Sequence, residues 1–147
     1  SMKSSEGKRL VSDVTDRCNT ILEYVSFVEE RSPQTVKEYR QRIEEKIREL
    51  IGDVQIEEQR LLTETAIFAD KVAVDEETVR LRSHLQQMYA MLSAGGAVGR
   101  KMDFLLQEMN REANTIGSKC TDVRLARIVV DIKAELEKIR EQTQNIE

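Results

Sequence analysis

Tryptophan is absent from this sequence, proline occurs once and cysteine twice. Aromatic residues fill only 4% of its 147 positions. A chain so poor in proline and aromatics has few turn signals and few strand formers, which argues against a β-rich fold. Cys18 and Cys120 are too few for a disulfide framework and lack the spacing of a zinc site. They read as free thiols of a reducing compartment. No apolar run approaches the roughly 20 residues that span a bilayer, and no secretory leader is visible. A Gly-rich phosphate loop with its lysine, a Cys/His cluster and a serine-nucleophile elbow are also missing. Nucleotide-driven and covalent serine chemistry are thereby disfavoured.

What the chain does have is charge, at 34%, and a hydrophobic content of 39%. That suffices for one thin core of Leu, Ile, Val and Met in a single domain or compact module. Apolar periodicity predicts an all-α fold of about six helices without β-sheet, a helical hairpin plus a helical bundle. Residues 1–5, which open on Ser1-Met2, read as a disordered remnant of cloning on a piece of something longer. Residues 6–52 read as a charged helical hairpin and residues 53–147 as a helical bundle.

Within the hairpin, Leu10, Val14, Ile21, Val25 and Val28 mark a first helix over about 6–31. Ser32-Pro33 is expected to end it and to start a second, which Gly52 stops. A third, over about 56–71, is expected to bury Leu61, Thr65 and Phe68, with Glu64 and Asp70 as polar contacts between helices. Asp75 is expected to cap a fourth helix, over about 76–94, with Val74 and Val79 as a hydrophobic staple. Gly95-Gly96 ends it. The fifth helix runs over about 100–115 and is closed by Gly117. The sixth, over about 122–144, carries Leu125, Ile128, Val129, Ile132, Leu136 and Ile139 on its inner face.

Net charge is −4, which by itself disfavours a nucleic-acid partner. The distribution changes that argument. Residues 29–77 carry eight bases and fourteen acids, whereas residues 80–127 carry eight bases and four acids. A local basic field attracts phosphate even on an acidic chain.

The basic segment also holds the most unusual helix. Met102, Leu105, Leu106, Met109, Ala113 and Ile116 form its buried stripe, while Glu108, Arg111, Glu112, Thr115 and Lys119 form a polar one. Glu108 and Glu112, four residues apart, emerge on one side of the helix. Two such carboxylates suit Mg²⁺ or Mn²⁺, although a solvated pair is the plainer alternative. Arg100, Lys101, Arg111 and Lys119 can contact phosphate or simply form a basic face. His84 is the only histidine and shares a helix face with Glu77, Arg80 and Leu81. It is either an ordinary half-buried residue or a ligand and proton carrier. A short Gly-rich loop makes the fourth and fifth helices antiparallel neighbours, which brings His84 within about 10 Å of Glu108 and Glu112.

The run from Gly99-Arg100-Lys101-Met102-Asp103-Phe104 through Glu108-Met109-Asn110-Arg111-Glu112-Ala113-Asn114 to Gly117-Ser118-Lys119 resembles the C-terminal signature of the bacterial YicC/YloC-like family. So do Ala69-Asp70, Asp75-Glu76-Glu77, Arg80-Leu81-Arg82-Ser83-His84-Leu85 and the ending from Lys138 to Glu147. Met102 stands where the family usually has Leu, and Cys120 where a small Ala is common. The resemblance implies a cytoplasmic, metal-dependent endoribonuclease that forms ring-like homo-oligomers and has a further N-terminal half. It implies cleavage of RNA phosphodiesters with Mg or Mn. His84, Glu108 and Glu112 would be catalytic, Glu77, Glu108 and Glu112 metal ligands, and Arg80, Arg100, Arg111 and Lys119 phosphate binders. The alternative is a non-catalytic oligomerisation or RNA-binding module whose active site needs the other half.

Overall fold

A computed structural model describes residues 2–52, 57–95 and 99–144. Within them five helices account for all regular structure: α1 (Met2–Ile51), α2 (Glu58–Val72), α3 (Asp75–Ala94), α4 (Gly99–Lys119) and α5 (Val123–Gln144). The all-α expectation holds, but the count of about six does not. The first two expected helices are one continuous helix that runs through Pro33.

The reason is visible in the buried stripe of α1. Val14, Cys18, Ile21, Val25 and Val28 are followed at the same three-and-four spacing by buried Ser32 and Thr35. Pro33 lies on the exposed side. Its missing N–H removes one rung of the helix ladder, yet packing on both sides of it holds the helix course. Thr35 Oγ1 donates to the Ser32 carbonyl at 2.8 Å, one turn back beside the proline. The helix starts at Met2.

The first half of α1 joins α3, α4 and α5 in a four-helix bundle. Helix α1 packs on α3 and α5, and both of these pack on α4. The pairings run antiparallel around the ring. Arg82 Nε on α3 donates to Glu29 Oε2 on α1 at 2.7 Å, and Tyr89 donates to Asn19 at 2.6 Å. On the other flank Arg17 meets Glu135 at 3.0 Å and Arg31 meets Asp122 at 3.4 Å. Lys133 of α5 donates to Asn114 of α4 at 2.7 Å. Burial alone would raise the Asp122 carboxyl, but Arg31 and the Leu125 N–H together hold it below its ordinary range. Hydrogen bonding from Arg82 does the same for Glu29. Burial pushes the Cys18 thiol up to about 12, so it stays protonated and inert as a nucleophile.

A projecting hairpin exists, built from other residues than expected. Helix α2 packs on the second half of α1 and buries only Leu61 and Thr65. Phe68, expected inside, is exposed, with the Lys71 ammonium 5.3 Å above its ring. Glu64 and Asp70 are exposed rather than packed between helices. The hairpin leaves the bundle at the end where α3 begins and α4 ends.

The helix ends show what local signals settle. Gly95 stops α3 with φ 73° and donates its N–H to Met91 O, a conformation that favours glycine. The cap of α3 is Val74, without a side-chain hydrogen bond, and Asp75 is already helical. The expected staple fails because Val74 is buried while Val79 is 65% exposed. Gly117 does not close α4. It lies inside the helix, where an added Cβ would come within 3.2 Å of Val129 Cγ1, so its role is close approach of α5. The expected helix start near Ile56 and the Gly96 half of the Gly95–Gly96 stop lie outside the described residues. No described helix is long and apolar enough to cross a membrane.

Candidate active site

The seam between α3 and α4 carries an unbroken ladder of polar side chains set into an apolar bundle. Antiparallel packing puts the start of α3 beside the end of α4. The first rung is Glu77 with Lys119, whose Nζ lies 2.6 Å from Glu77 Oε1 and also reaches the Ala73 carbonyl at 3.4 Å. The second is Arg80 with Glu112, Nε to Oε1 at 2.8 Å. The third is His84 with Glu108 and Glu112. One donor atom from each of these three residues lies within 4.8 Å of the other two. The expected approach of His84 to the Glu108/Glu112 face is therefore met, and more closely than the 10 Å that helix geometry alone allowed.

Two of the carboxylates are deeply placed, since Glu77 is 2% and Glu112 5% exposed. A buried carboxylate is costly unless a cation and hydrogen bonds compensate it. Lys119 compensates Glu77, and Arg80 compensates Glu112 while lying 3.9 Å from Glu77. The hydrogen bond to Glu112 raises the Arg80 pKa further, so its guanidinium stays charged. Arg80 is itself 46% exposed and faces solvent beside the cluster.

Two polar atoms in this ladder are buried without a hydrogen-bond partner among the described residues: Glu77 Oε2 and His84 Nδ1. Native interiors rarely leave such atoms unsatisfied, and functional sites are one place where they do. The donor set of the third rung, one imidazole nitrogen and two carboxylate oxygens, fits a divalent cation. Such ions sit about 2.1 Å from their ligands, which places neighbouring ligand atoms about 3–4 Å apart. The imidazole favours Mn²⁺ over Mg²⁺, which prefers oxygen ligands throughout.

The structure sorts the other expected site residues. Glu77, expected as a metal ligand, is not in the three-donor cluster: it stands on the rung of Lys119, with Oε1 on that ammonium and Oε2 unpartnered. Lys119, expected to bind phosphate, is engaged by Glu77 in the same way. Arg111 is exposed on α4, one residue before Glu112. Arg100 is exposed at the start of α4, about 12 Å along the helix from Glu108 at 1.5 Å per residue. It lies outside the cluster, next to the polar groove of Gly99, Asp103, Thr143 and Gln144. The pairing of Arg80 with Glu112 was not legible in the sequence, because the partners are 32 residues apart and no local spacing announces it.

The family described as endoribonuclease YicC-like, C-terminal, matches residues 28–147, a span that includes every rung of the ladder. A protein of Clostridioides difficile (strain 630) named "Probable endoribonuclease YicC" is 47% identical over 147 residues, covering 99% of this chain and 50% of that protein. A Haemophilus influenzae protein of the same name is 33% identical over 146 residues, with the same coverage. The chain thus spans about half the length of the curated relatives it matches. The bundle, its polar seam and these matches cover the same residues, and the chain belongs to the YicC-like endoribonuclease family, to whose C-terminal region it corresponds.

Proposed function

We propose that this chain carries catalytic groups of an endoribonuclease, and that His84, Glu108 and Glu112 hold a divalent ion at the site of phosphodiester cleavage. The observation that carries the reading is the convergence of their three donor atoms within 4.8 Å, beside a buried and unpartnered imidazole nitrogen. When bound, such an ion supplies positive charge to the oxygens of the scissile phosphate. The remaining roles follow from the chain's own residues. Arg80 and Arg111 bind the phosphate and offset the charge that builds on its oxygens in the transition state. Glu108, half-buried, accepts the proton of the attacking hydroxyl, while Glu112 stays tied to Arg80 and fixes the geometry. RNA as substrate, self-association and a cytoplasmic setting belong to the same reading.

The test is cleavage of a labelled single-stranded RNA by the full-length protein that contains this chain. Excess chelator should abolish cleavage and added Mn²⁺ should restore it. Full cleavage in chelator would overturn the metal assignment. In that case 2′,3′-cyclic phosphate ends would assign attack to the RNA 2′-hydroxyl.

A further inference from the structure

The polar ladder does not end at His84. On α4, one turn before Glu108, stands Phe104, 60% exposed and the most exposed of the three phenylalanines. Residues four apart on a helix share a face, with Cβ atoms about 6 Å apart. Lys101 and Arg111 occupy the same face, three residues before and seven after Phe104, and both are exposed. A single exposed phenylalanine is ordinary on a protein surface. This one differs in its neighbours, because a bare aromatic ring sits between two cations and directly beside the donor cluster. Phe68, the next most exposed, has its ring face occupied by Lys71.

We propose that Phe104 is a stacking platform for an unpaired RNA base next to the scissile phosphate, so that the site selects single-stranded over duplex RNA. This rests on the reading of His84, Glu108 and Glu112 as the cleavage site. Arg111 stays on the scissile phosphate, Lys101 holds the flanking one, and the ring takes the base face. A base inside a duplex is already stacked on both sides and cannot lie on the ring unless it leaves the helix. Stacking tolerates any base, because each has a π-face, so the platform gives strand selectivity without sequence selectivity.

The experiment uses the full-length protein and a 2′-O-methyl oligoribonucleotide bearing one 2-aminopurine, bound in the presence of chelator so that neither cleavage nor metal enters. Phe104→Leu removes the ring and keeps apolar bulk. It should weaken binding of the single strand about 5- to 100-fold and abolish the stacking-induced fluorescence quench. Phe104→Trp should retain both, and binding of the matching duplex should be unchanged in either variant. Single-strand binding and quenching by Phe104→Leu equal to wild type would overturn the proposal. Equal binding with a lowered thermal midpoint would overturn it too, and would show that the ring is covered by protein. If Phe104→Leu loses the quench while Glu108→Gln still cleaves unmodified RNA at the wild-type rate, the platform stands and the assignment of Glu108 falls.

Discussion

Glu108→Gln in the full-length protein is expected to lower the rate of RNA cleavage by about 100-fold or more, with little change in stability. The amide keeps the size and shape of the side chain and removes its charge and basicity. A positioned general base is worth about 10²–10⁴ in rate, and loss of a charged ligand would add to that. Glu108 is half-buried and is not held in an ion pair among the described residues, so the fold loses little by the change. The effect should fall on kcat more than on KM, because the interaction is made in the transition state. Glu112→Gln is a less clean variant. Its carboxylate also balances the Arg80 charge, so a loss of stability would accompany the loss of rate. Single-turnover cleavage together with urea unfolding of each variant separates these effects. A Glu108→Gln enzyme of normal rate would reduce the polar seam to a structural network that ties α3 to α4.

The largest expected effect on stability lies one residue further along α4. Met109→Ala should destabilise the protein by about 2–5 kcal/mol, and Leu105→Ala by a similar amount, since both side chains are buried in the bundle core. The loss combines the transfer energy of the missing methylenes with the cavity left among neighbours that relax only partly. Phe104→Leu, next to Leu105 in sequence but facing water, should change stability by no more than about 0.5 kcal/mol. Urea midpoints of the three variants read the orientation of α4 directly. Equal midpoints for Met109→Ala and Phe104→Leu would mean that the helix is rotated from the face assigned here.

Much of this architecture was legible because it depends on periodicity. The buried residues of α4 and α5 fall almost where three-and-four spacing puts them. Ile128 is the main exception on α5, being only partly buried against the core. Punctuation was less dependable. Pro33 looked like a helix boundary by its local chemistry, and the buried stripe through Val28, Ser32 and Thr35 overrode it. Gly117 looked like a stop, but its value lies in the approach of Val129, which is a tertiary fact. Val79 had the right offset for a staple and points to solvent.

The approach of His84 to Glu108 and Glu112 was legible for the same reason. A short loop between two helices forces an antiparallel pair, and counting residues outward from that loop places His84 level with Glu108 and Glu112. What counting cannot give is which cation meets which carboxylate. Glu77 and Lys119 were assigned to metal and phosphate because each is chemically able. Their mutual pairing depends on side-chain reach across the seam, which the one-dimensional pattern does not contain. The exposure of Phe104 is a property of the folded bundle, and it becomes informative only next to the cluster.

If His84, Glu108 and Glu112 form one cation site within this helical bundle, the full-length protein binds a divalent ion there. Titration of the full-length protein with Mn²⁺, following the free-ion signal by electron paramagnetic resonance, tests it most directly. Wild type should take up one Mn²⁺ per chain, and a His84→Ala, Glu108→Gln double variant that keeps its helical circular dichroism should lose that ion. Equal Mn²⁺ uptake by the two proteins, or none by wild type, would rule out a cation site at these residues.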